Sequence, residues 1–160
     1  MWVVWVPLVA AWMTLPWLGV AGRSEVLAVP AFAQAMPYAA VRWIAAAVAV
    51  WSLAETLACW RRMGKDWRMD VSRENTALIT DGRFARIRHP IYAFSILLML
   101  CTFLVLPTTA MAVLAATHVV LMNVKARNEE RHLLKVHGEE YARYVRDTGR
   151  FVPRLGRHAP

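Results

Sequence analysis

Two short polar stretches carry the residues best suited to chemistry, Arg88-His89-Pro90-Ile91-Tyr92 and Asn128-Glu129-Glu130, the second preceded by Lys125 and Arg127. An apolar run separates them and breaks at Leu106-Pro107. Pro90 suits the first position of a helix, where its missing N–H needs no partner and its φ is already helical, so Tyr92 falls on the first turn. The arms Ile91 to Leu106 and Thr109 to Asn123 then form an antiparallel hairpin. The second arm continues into Lys125, Arg127, Glu129 and Glu130, and these finish on the side where Tyr92 begins. Polar groups far apart in sequence can thereby meet.

On the exit helix Lys125 and Glu129 are four apart and share a face, with His118 two turns back on roughly the same stripe. Taken alone, such a pair is a surface contact worth about 0.2–0.5 kcal/mol, and only the company of the other polar residues makes it a functional candidate. His118 lies within the apolar zone, where an ionisable side chain is either functional or a neutral, hydrogen-bonded packing residue. Arg42 is expected to snorkel to an interface, and Glu55 either snorkels or faces a polar cavity. No Ser/His/Asp or Cys nucleophile is evident. Cys59 and Cys101 sit inside apolar segments, and no Cys or His spacing resembles a zinc site, so neither a metal nor a disulfide is expected.

The elements that must position these residues are those of a membrane protein. Of the 160 residues 58% are hydrophobic and eight are tryptophan, far from the average soluble chain. The net charge of +8 sits in segments that adjoin apolar runs, which suits anionic lipid headgroups and cytoplasmic placement better than nucleic acid. Trp2 to Ala21 has no charge and is long enough to span a bilayer. Its lack of a basic leader region argues against a cleaved signal peptide. Tyr38 to Trp60, rich in alanine, is a second span, and the two hairpin arms, each about 15 residues, are the third and fourth.

The positive-inside rule makes the basic loop Arg61 to His89 cytoplasmic, and with it both termini. Within that loop Asn75 to Ile79 reads as an extended piece that runs into a turn at Thr80-Asp81-Gly82. The tail interleaves basic and apolar residues, which predicts amphipathic helices at the cytoplasmic interface, interrupted near Gly138, with order ending at Arg150-Phe151-Val152-Pro153. The expected fold is an all-α integral membrane protein with four transmembrane helices, a C-terminal helical hairpin and cytoplasmic amphipathic tail helices. Its organisation is two N-terminal spans over 1–60 and a catalytic region over 61–160.

Gly82-Arg83-Phe84, Arg88-His89-Pro90-Ile91-Tyr92, the hairpin, Asn128-Glu129-Glu130, Gly138-Glu139-Glu140-Tyr141, Tyr144 and Pro153 follow one another in an order that resembles the isoprenylcysteine carboxyl methyltransferase family and its phospholipid methyltransferase-like relatives. The resemblance covers about residues 75 to 155. It implies S-adenosylmethionine as cofactor, contacted by Ala77, Leu78, Ile79, Phe84, His89, Pro90, Tyr92 and Glu129. It also implies an acceptor-binding cation, at the position where this chain has Lys125 with Arg127 close by. Phe84 stands where the family often has tyrosine.

The cofactor is a zwitterion plus a sulfonium. His89 and backbone groups suit its carboxylate, Tyr92 can pack or hydrogen-bond, and Glu129 suits its cationic end. The implied acceptor is lipid-like or lipidated and enters from the bilayer, with O-methylation favoured. A base such as His118 or Glu55 matters only for an amine or thiol acceptor. A membrane reductase of the sterol and steroid reductase type, which uses a nicotinamide cofactor, shares an RHPxY-like stretch, and a non-catalytic membrane scaffold would retain the same pocket.

Overall fold

The computed structural model describes residues 2–21, 24–64 and 78–154. Ala77, and with it the beginning of the expected extended piece, lies outside them. Among the described residues five α-helices follow in order: α1 (Trp2–Val20), α2 (Ala31–Gln34), α3 (Met36–Met63), α4 (Pro90–Val105) and α5 (Thr109–Asp147). Among the described residues there is no strand, only an isolated parallel bridge between Ile87 and Gly149. Helix α4 starts at Pro90 as its sequence requires, because the residue before a proline is pushed out of the helical region. The connection after α1, Gly22 to Pro37, reads from sequence as a short loop, yet its described part is not wholly irregular. It holds a 3-10 turn at Glu25–Leu27 and the single turn of α2, entered through Pro30 and tied by Gln34 Nε2 donating to the Val29 carbonyl at 2.8 Å.

Helices α3 and α5 are each long and apolar enough to cross a membrane. Only 22% of the most apolar stretch of α3 and 33% of that of α5 is buried within the protein. An apolar helix that leaves most of that surface uncovered suits lipid and not the core of a soluble domain. Val3–Gly19 and Pro90–Val105 are apolar but shorter, the latter with 16 residues, about 24 Å of helix against a hydrocarbon core of about 30 Å.

The chain divides into two units, residues 1–52 with 96–121 and residues 53–95 with 122–160, so each draws on both sides of residue 60. In the first unit Leu8, Met99, Met111, Leu114 and Ala115 form the core, with Trp12 and Phe103 packed against it. Arg42 reaches inward: its Nε donates to the Val105 carbonyl at 3.1 Å, beside Tyr38 Oη donating to Leu104 at 2.9 Å. These bonds satisfy carbonyls that the end of α4 leaves open, where a cation is also electrostatically favoured.

In the second unit Cys59, Phe84 and Phe94 are buried together, with Met63, Ile79 and Ile91 against them. Glu55 receives both arms of the Arg83 guanidinium, at 2.6 and 2.5 Å, and Arg62 pairs with Asp81. These ion pairs tie the 3-10 turn Gly82–Ala85 to α3. Exposed guanidinium groups give them little energy, so they set register more than stability.

Candidate functional site

The turn that feeds α4 is held from its backbone outward. Arg88 N–H donates to the Gly149 carbonyl at 2.8 Å, His89 N–H to the Arg150 carbonyl at 3.1 Å, and Gly149 N–H returns to Arg86 at 3.1 Å. Tyr144 Oη donates to the Phe84 carbonyl at 2.6 Å, and burial pushes this phenol up to about 12, so it remains a donor at neutral pH. With the backbone fixed in this way, His89 is 7% exposed and its ring stacks on Tyr92, with centroids 5.3 Å apart.

The two neighbouring glutamates then take different partners. Tyr92 Oη donates to Glu129 Oε2 at 2.8 Å, and the Glu129 side chain stays 30% exposed. Glu130 is enclosed. It accepts from Arg88 Nε at 3.0 Å and from Arg150 Nε and Nη2 at 3.1 and 2.5 Å. The remaining donor atom of the Arg150 fork, Nη1, goes to Asn123 Oδ1 at 3.1 Å, while Arg88 also donates to the carbonyls of Val145 and Thr148. Burial by itself would raise the Glu130 carboxyl, but His89, Arg150 and Arg88 outweigh it and hold the group well below the usual carboxylate range.

The His89 ring lies between the two carboxylates, Nδ1 3.7 Å from Glu129 and Nε2 3.4 Å from Glu130. The buried Nε2 makes no well-formed hydrogen bond. Lys125 Nζ sits 5.1 Å from the centre of the Tyr92 ring, a cation–π distance.

Phe84, His89, Pro90, Tyr92 and Glu129, five residues of the expected cofactor set, line one cavity that opens to the surface. Met63, Arg88 and Ile91 complete its wall, and none of these three was assigned to the site from sequence. Ile79 is spent in the core beside Cys59 and Phe84, and neither it nor the half-buried Leu78 lines the cavity. Lys125 approaches through the Tyr92 ring, whereas Arg127 is exposed and not part of the wall. His118 belongs to the first unit, 3% exposed, with its ring 6.2 Å from that of Trp12. Arg150 belongs to the stretch Arg150-Phe151-Val152-Pro153 with which order was expected to end, and it was given no role in the site; its position next to Gly149 was the local sign of one.

Apolar helices that leave most of their surface uncovered, together with a cavity lined by charged and aromatic side chains at the start of α4, suit a membrane protein with a ligand site. The phospholipid methyltransferase family matches residues 38–140, and the chain belongs to that family. The match is in keeping with the resemblance drawn from RHPIY and the paired glutamates. The chain is also similar to the cobalt-zinc-cadmium resistance protein CzcN of Cupriavidus metallidurans, 34% identical over 84 residues. That match takes in 52% of this chain and 38% of the relative. No solved structure matches the chain.

Proposed function

We propose that this protein is a multi-pass membrane enzyme that binds S-adenosylmethionine in the cavity of the second unit and methylates a lipid-like or lipidated acceptor, with transfer to oxygen favoured. One observation carries the reading: of two adjacent carboxylates, Glu130 is consumed by two guanidinium groups, while Glu129 is oriented by Tyr92 and left 30% exposed on the cavity wall. A carboxylate presented in this way suits a cationic ligand.

The residues present fit the cofactor. Glu129 can face its cationic end, Arg88 and His89 bring positive and hydrogen-bonding groups to the same wall, and Met63, Phe84 and Ile91 offer apolar surface to a heteroaromatic ring. When bound, the sulfonium supplies a methyl group by in-line displacement that neutralises its own charge, so orientation and water exclusion can contribute most of the catalysis. Phe84 lacks the hydroxyl that the family often places there and therefore contributes packing alone.

Lys125, on the Tyr92 ring face, is suited to an anionic headgroup or carboxylate of the acceptor, and its single point charge holds such a group less specifically than a bidentate arginine would. Four spans with both termini and the cavity on the cytoplasmic side complete the proposal, on the strength of the basic segments Arg61 to His89 and Lys125 to Arg157. Calorimetric titration of the purified protein with S-adenosylmethionine and with a reduced nicotinamide tests the cofactor. Saturable binding of the first alone is expected, and binding of the second alone would replace the methyltransferase reading with a reductase. Labelled methyl followed into lipid, protein and volatile fractions then identifies the acceptor class.

A further inference from the structure

Gly149, Arg150 and Phe151 lie beyond the end of α5 and are tied to the turn before α4 by backbone and ring contacts. The backbone of Gly149 pairs with Arg86 and Arg88, and that of Arg150 with His89. The Phe151 ring lies 6.3 Å from the His89 ring. The segment also folds tightly on itself, because a Cβ added to Gly149 would come within 1.7 Å of the Val152 carbonyl oxygen. No side chain fits there. One acid closes the arrangement: Glu130, whose side chain is 13% exposed, takes Arg88 from the turn and Arg150 from the segment. Arg88 is itself only 8% exposed and touches the cavity, whereas Arg150 does not.

The geometry points to Glu130 as a positioning residue that clamps Gly149–Phe151 as a strap across the turn Arg86–His89 and thereby fixes the His89 ring in the cavity wall. Glu130 acts through Arg88, Arg150 and His89 and takes no place on the wall itself. That the clamped wall serves a ligand rests on the proposed S-adenosylmethionine site; the clamp itself does not. The adjacent pair Glu129-Glu130 is thus divided into one carboxylate turned to the ligand and one that holds the frame.

Hydrogen exchange at the Arg88, His89 and Gly149 amides, measured on the full chain in nanodiscs, tests the clamp directly. Glu130→Gln and Arg150→Ala should each speed exchange at these three amides by about tenfold or more, while Glu129→Gln leaves them within about twofold of wild type. Gly149→Ala should show the same opening, and it keeps the test decisive if Glu130→Gln fails to fold. Unchanged exchange in both Arg150→Ala and Gly149→Ala would overturn the clamp.

S-adenosylmethionine titration of the same proteins tests its purpose. Arg150→Ala, outside the cavity, should weaken binding about tenfold, and Arg150→Lys should recover part of the loss by restoring the charge without the fork. An opened strap with wild-type affinity would overturn the claim that the strap serves the site. A wild-type protein that binds no S-adenosylmethionine would remove the cofactor reading, and the exchange result would still decide the clamp.

Discussion

Glu129 and Glu130 are chemically identical neighbours, so substitutions at them should fail differently. Glu129→Ala removes a charged acceptor that Tyr92 orients, and S-adenosylmethionine affinity should fall roughly 10- to 100-fold, the equivalent of about 1.5–3 kcal/mol for a hydrogen bond to a charged group. Lys125→Ala should leave cofactor affinity within about threefold and raise the acceptor KM, since its ammonium meets the ring of Tyr92 and does not line the cavity. Equal cofactor affinity in Glu129→Ala and wild type would remove Glu129 from the site.

Glu130 also sets an acid limit. It faces His89, Arg88 and Arg150, with the Glu129 carboxylate and the buried Tyr141 phenol near by. A carboxyl whose folded pKa lies below its unfolded value contributes stability that is complete above the unfolded value and is lost as pH falls through the folded one. Protection of the Arg88, His89 and Gly149 amides, corrected for the intrinsic pH dependence of exchange, should therefore persist to about pH 4, near the ordinary glutamate value of about 4.3. Loss of that protection between pH 6 and 5 would contradict the shift.

At the scale of elements, α5 extends over 39 residues from Thr109 to Asp147, but it is not one uniform helix. Gly138 has φ 49° and ψ −123°, a backbone region that side chains with a Cβ rarely enter. A Cβ built there meets nothing within 4 Å, so the penalty of Gly138→Ala comes from the backbone alone. Thermal unfolding should show a loss of about 1–3 kcal/mol, and an unchanged Tm would mean that the break relaxes into regular helix at no cost. The break matters because it separates the segment bearing Lys125, Glu129 and Glu130 from the one bearing Tyr141 and Tyr144, and both segments contribute to the frame around the α4 turn. Its counterpart on the other helix is Pro90, which starts α4 where Tyr92 can turn back to Glu129.

For the molecule as a whole, the proposed four spans and their direction rest on charge and apolar length. Single cysteines at Ser24 and Arg86, both exposed, in a background lacking the buried native Cys59 and Cys101, should be labelled from opposite sides of sealed vesicles. Arg86→Cys should react from the cytoplasmic side and Ser24→Cys from the other. Labelling of both from one side would remove the four-span topology and with it the cytoplasmic placement of the cavity, without touching the cofactor assignment.

The sequence by itself determined the long helices and, to within a few residues, their ends. An apolar run without charge makes α1 and an alanine-rich run with few charges makes α3, while Pro90 starts α4, Pro107 breaks the hairpin and Gly138 interrupts α5, because at these positions proline and glycine act on the backbone directly. It also brought RHPIY and Glu129 together, since two arms of similar length return the chain to its starting side. Only the tertiary structure decided which side chain meets which. Consecutive residues on a helix point roughly 100° apart, and whether Glu129 or Glu130 faces the cavity depends on the packing of α5 and not on any local preference. The same holds for Arg42 capping α4, Glu55 meeting Arg83, and Arg127 remaining outside the wall. Arg150 was the least legible of all: nothing in its neighbourhood fixes a secondary structure, and its position comes from a carboxylate 20 residues earlier in the chain.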